Sequence, residues 1–125
     1  MYEIDANFIQ FPNGKREKFK SFIAESIEFD DVLIVRLEAE PVHPTNENVY
    51  SYDFKGRLLW QIPVRPHVFP QCPYVSIFRK GAFVEGYNWD GYVMTLHPKT
   101  GLVVAEGPMI CASSRQRPAS RRVWI

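Results

Sequence analysis

Short apolar runs separated by turn residues recur along most of this chain, and almost none reaches helical length. The clearest lies at residues 46–62, NENVYSYDFKGRLLWQI. Val49, Tyr50 and Tyr52 supply one β-branched and aromatic arm; Leu58, Leu59, Trp60 and Ile62 supply the other. Asp53-Phe54-Lys55-Gly56 predicts the reversal between them, because glycine takes positive φ without a Cβ clash. The rest of the chain is expected to pack on this hairpin or to echo it.

Phe8, Ile9 and Phe11 predict a first strand, closed by Pro12-Asn13-Gly14, in which Asn-Gly is a strong hairpin signal. Residues 16–29 read two ways. Phe19, Ile23 and Ser26 stand at helical spacing, while positions 22–29 also alternate. The strand is preferred because a hairpin turn feeds it, and a short helix over 17–25 is the alternative. Asp30-Asp31 predicts a turn into 32–39, VLIVRLEA, whose unbroken apolar run predicts a central strand covered on both faces. A polar loop at 40–47 follows. After Ile62, Pro63, Pro66, Pro70 and Pro73 fall within eleven residues, and each removes a ladder donor. The expectation is a long surface loop, either a plain crossover or the first place to look for a binding feature. Strands are predicted at 74–79, 82–87 and 92–97, turned at Lys80-Gly81 and Asp90-Gly91. Pro98-Lys99-Thr100-Gly101 turns the chain into 102–105, and 109–112 is expected to add a last short strand. The predicted fold class is all-β: antiparallel meander sheets forming a small sandwich or open roll, with at most one short helix.

Two segments echo each other. Asp53-x-x-Gly56-x-x-x-Trp60 aligns with His97-x-x-Thr100-Gly101-x-x-x-Ala105 once the second turn takes one extra residue. Gly56 and Gly101 stand 45 positions apart, the length of a four-stranded propeller blade. The pattern resembles blades of the pyrroloquinoline-quinone-type β-propeller repeat, over residues 46–105. The first copy lacks the motif's Thr; the second has His97 for its Asp and Ala105 for its Trp. The resemblance implies propeller-blade-like hairpins. It carries no quinone-binding residues across, and two copies do not close a propeller. Residues 46–50, Gly56, 59–62 and 87–91 together also resemble a group of small uncharacterised bacterial proteins, which brings no activity with it.

Composition narrows the chemistry. At 125 residues with 46% hydrophobic content, one domain with a real core is expected over 1–112, followed by a basic tail at 113–125. The tail holds Arg115, Arg117, Arg121 and Arg122 and no acid, so the +1 net charge divides into +4 there and −3 elsewhere. A nucleic-acid partner is not expected from that distribution. The N-terminus lacks a secretory pattern, no apolar run reaches membrane length, and two cysteines suit reduced thiols; a cytoplasmic location is the expectation. His43, His67, His97, Cys72 and Cys111 show no metal-ligand spacing, and no cofactor or metal is expected. Cys72, beside Pro73 in the proline-rich loop, reads as an inert thiol rather than a nucleophile.

Candidate site residues are therefore of the binding kind: Tyr87, Trp89 and Tyr92 at a hairpin tip, His67 in the proline-rich loop, and Arg115 and Arg117 in the tail. The leading expectation is a non-enzymatic protein-binding domain with a protein partner or as a homodimer, an immunity-type protein being one concrete form. Open hairpins leave unpaired edges that invite another chain. The alternatives are a small-molecule or sugar-binding module using exposed aromatics, and an enzyme with a site built from the 63–73 loop, His97 and an acid.

Overall fold

The computed structural model describes residues 2–39, 45–66 and 69–109. Its regular elements are eleven antiparallel strands in three sheets. The N-terminal sheet runs β1 (Glu3–Asp5), β2 (Phe8–Gln10), β3 (Arg16–Lys18). The first blade runs β4 (Ile23–Phe29), β5 (Val32–Leu37), β6 (Val49–Asp53), β7 (Leu58–Gln61). The second blade runs β8 (Tyr74–Lys80), β9 (Phe83–Asn88), β10 (Tyr92–Leu96), β11 (Val103–Pro108). Each blade is a meander in which sequence neighbours are hydrogen-bonded neighbours, the lowest-cost way to pair strands.

The first blade is the middle layer. On β5, Val32 and Ile34 join Val49, Trp60, Ile62, Tyr74, Ile77, Val84, Met94 and Leu96 in the core between the blades. Leu33 and Val35 point the other way, into a second core with Ile9, Phe11 and Tyr52 under the N-terminal sheet. Both faces of β5 are thus apolar, which explains why its sequence does not alternate. Phe11, Phe19, Tyr50 and Tyr52 pack edge-on or tilted in this second core, with ring centroids 5.6–6.1 Å apart.

The two echoed turns are structurally equivalent. Each joins the third and fourth strands of a blade, and Gly56 and Gly101 hold φ of +84° and +75°. The Gly56 N–H donates to Asp53 O at 3.0 Å and the Gly101 N–H to His97 O at 2.8 Å. The Asp53 carboxylate accepts the Lys55 N–H at 2.9 Å; His97 Nδ1 accepts the Lys99 N–H at 3.2 Å. His97 therefore caps its turn as the aspartate does, because either side chain offers an acceptor two residues upstream. Trp60 locks the blades together. Its Nε1 donates to Pro98 O at 2.8 Å, the Ser51 hydroxyl donates to the same oxygen at 2.9 Å, and its ring lies directly on Gly101. Ala105 pairs with Thr95 on the face of the second blade turned away from the first, so the second copy has no matching lock.

Several expectations change. The run at 16–29 is two strands with a break between them, so the helix alternative over 17–25 is overturned; β3 completes the hairpin that Asn13-Gly14 starts. β1 pairs with β2 through a turn in which Ala6 takes φ 54°, a strand too polar and short to read from sequence. The 109–112 strand and the 113–125 tail fall almost wholly outside the described residues. No helix among the described residues is long and apolar enough to cross a membrane.

A candidate binding cleft at the loop end of the blades

The proline-rich stretch needs partners other than a ladder, since its prolines carry no N–H while their carbonyls still seek donors. Three asparagines supply them. Asn46 Nδ2 donates to Pro70 O at 3.0 Å while its Oδ1 accepts the Cys72 N–H at 2.7 Å. Asn48, 1% exposed, donates to Leu37 O and Tyr74 O and accepts the Tyr74 N–H at 2.8 Å. Asn88 donates to Cys72 O at 2.9 Å and accepts from the Cys72 thiol at 2.7 Å. The Trp89 N–H closes the set on Pro73 O at 2.9 Å. The loop is thereby tied to the β9–β10 tip.

The tie creates a cleft. Phe69, Pro70, Gln71 and Pro73 line it together with Val75, Trp89, Tyr74, Arg36 and Glu38, around about 710 Å³. Phe69, Val75 and Trp89 are exposed, at 51%, 43% and 63%. Arg36 is committed: its Nε donates to Glu25 Oε1 at 2.7 Å, and the same oxygen accepts the Ile77 N–H at 3.0 Å. Glu25 thus plugs the junction between the β4 and β8 edges. Glu38 has no ion-pair partner among the described residues.

The loop side of the tip is braced by charge. Arg65 pairs with Asp90 and lies 3.9 Å over the Tyr92 ring. Partial burial raises the Asp90 pKa, but the Arg65 guanidinium and the Tyr92 N–H outweigh it and hold the carboxyl below its ordinary value. Burial pushes the Cys72 thiol up, and the Asp90 charge adds to that. A fully buried thiol with a raised pKa is a poor nucleophile.

Of the residues singled out in the sequence, Trp89 alone lines the cleft. Tyr87 sits on the far face of the second blade, edge-on to Phe78 at 5.2 Å, with its hydroxyl on Glu85. Tyr92 is half-buried under Arg65 and donates to Glu106 at 2.9 Å. Neither is placed to meet a ligand there. His67, Arg115 and Arg117 lie outside the described residues. His97 follows the other end of β10, one strand length or about 16 Å from Tyr92, and it packs on Phe83 while capping its turn. That separation sets His97 apart from the Arg65–Tyr92 side of the tip. Among the described residues no three metal-ligating side chains cluster. Phe69 and Val75 were missed: one lies in a loop without periodicity, and the other looked like an ordinary strand residue.

Comparison with known proteins adds a family and a fold. The family described as a domain of unknown function, DUF7957, matches residues 2–107. No curated protein matches. A crystal structure of HIRA(644-1017) is similar to 91% of this chain with a TM-score of 0.54 at 16% identity. The chain spans 34% of that one, and at this identity the likeness is one of fold.

Proposed function

The chain belongs to the DUF7957 family, and from that premise we propose that it is a non-enzymatic protein-binding domain that seizes an apolar segment of a partner in the cleft between the 69–73 wall and Trp89. The observation that carries the reading is the cleft. Two sequence-distant features are held together by the buried Asn88–Cys72 bonds and the Trp89 N–H on Pro73 O, so their exposed apolar side chains are preorganised rather than floppy. Exposed Trp and Phe around a pocket are what binding hot spots use. An immunity-type role, in which the seized segment belongs to a toxin, is the concrete form in view. Cys72, a buried free thiol, suits a reducing compartment such as the cytoplasm.

The test is selection of peptides from a displayed library on the immobilised full chain, with Trp89→Ala as the counter-screen. Trp89→Ala is expected to weaken selected peptides by about 30-fold or more, the cost of a hot-spot residue. Peptides that bind both forms equally, or none at all, would refute the reading. A second reading, a small-molecule or sugar module, is favoured by the size of the cleft, which falls in the range of ligand pockets. It expects a saturable change in Trp89 fluorescence with a metabolite; a flat response across a broad panel removes it.

A further inference from the structure

We propose that the cleft is filled in cis by the chain's own residues 110–125, with Trp124 set against Phe69, Val75 and Trp89. This rests on the peptide-binding reading and names the site's resident occupant.

The exit of the chain is the first reason. The Met109 N–H donates to Gly91 O at 2.7 Å, the Gly91 N–H to Asn88 O at 2.9 Å, and the Trp89 N–H to Pro73 O at 2.9 Å. The described chain therefore ends within one tight turn of the cleft wall. The residues from 110 to 125 extend to about 50 Å at most, far more than is needed to fold back into a cleft that begins beside them.

Apolar match is the second. Val123-Trp124-Ile125 is an apolar run in an otherwise basic segment. The cleft presents three exposed large hydrophobic side chains at the same end of the molecule, and Met109, 45% exposed, adjoins the route. Clustered apolar side chains are costly to leave in water.

Charge is the third. The described body is acidic and the segment carries four arginines. Arg121 and Arg122 precede the apolar run directly, so a seated Trp124 brings them to the cleft lining, where the exposed Glu38 has no ion-pair partner among the described residues. Arg36 in the same lining does not oppose them, because Glu25 neutralises it. A partner peptide of the same basic–aromatic chemistry must then displace this segment, which makes the segment a competitor for the site.

The experiment uses the full chain labelled with 5-fluorotryptophan, which gives three fluorine resonances. Trp60, 9% exposed, reports that the fold is intact. The Trp124 signal is expected away from the position of solvated indole, and Glu38→Lys or Val75→Arg is expected to return it there while Trp60 stays put. A labelled peptide of residues 113–125 is expected to bind the Trp124→Ala chain at least about tenfold tighter than the intact chain, since the cis competitor has been removed. A Trp124 signal at the solvated position, indifferent to both cleft variants, overturns the proposal. Protection that vanishes on dilution also overturns it, by assigning the segment to a second copy. If Trp124 is solvated yet selected peptides still need Trp89, only this inference falls. If selected peptides fail as well, the cleft reading falls with it.

Discussion

Removing the space that Gly101 provides tests the lock between the blades. A Cβ at Gly101 would sit 2.6 Å from Trp60 Cγ and 2.9 Å from Cδ1, and φ is +75°. Gly101→Ala therefore carries two costs: about 1–2 kcal/mol for a left-handed L-residue, and about 1–3 kcal/mol for overpacking the indole. Trp60→Ala alone is expected to cost about 3–5 kcal/mol through the cavity and the lost bond to Pro98 O. In the double variant the indole is gone and only the backbone strain at position 101 remains. The two changes should then sum to less than their separate effects by about 1–3 kcal/mol. Urea unfolding followed by far-UV circular dichroism measures all four forms, with equal sucrose in each to keep a folded baseline. A coupling within about 0.5 kcal/mol of zero would refute the claim that Trp60 and Gly101 form one interlocking contact.

Asn48→Ala is expected to destabilise by about 2–4 kcal/mol, read as a fall in urea midpoint, because it strips partners from two buried carbonyls and one N–H. Asp53 and Asp90 have folded pKa values below their ordinary ones; at Asp53 burial opposes the shift but is outweighed by bonds from the Arg57 and Lys55 backbone and the Arg57 side chain. Their stabilisation is present above about pH 4 and is lost as pH falls through the lowered values, so Asp90→Asn should flatten the acid limb of a melting-temperature profile and an unchanged slope would count against it. Burial raises Tyr74 to about 12, so neutral Tyr74 favours the fold fully below pH of about 10 and that contribution is lost between there and 12; Tyr74→Phe should soften alkaline unfolding followed by circular dichroism. Cys72 should react with a thiol reagent orders of magnitude more slowly in the native chain than in urea, and comparable rates would contradict its burial.

The blades were legible because their signals are local. Gly56, Gly81, Gly91 and Gly101 mark reversals that only positive φ allows, and the apolar arms between them are of strand length. The equivalence of the two glycine turns, and the double burial of 32–37, also followed from spacing and pattern. The role of Trp60 was only half legible: its place in an apolar strand arm stood out, but its bond to Pro98 spans 38 residues and depends on how the sheets stack. The cleft was harder still. Trp89 stood out as a large side chain at a tip, whereas Tyr87 and Tyr92 looked the same in sequence and differ only in the face they occupy. His97 stands in the aspartate's place of the echoed motif, and its ring nitrogen does an aspartate's work in the turn.

The stacking of the three sheets has a mechanical consequence. The first blade is gripped from both sides, whereas the second is held from one, by Trp60 and the core beneath it. Peeling should therefore begin at β11 and run inward, leaving β5 as the last strand to surrender its amides to solvent exchange. Whatever loads the loop end of the molecule would be acting on a sheet gripped from one side while drawing on an anchor in the sheet gripped from both.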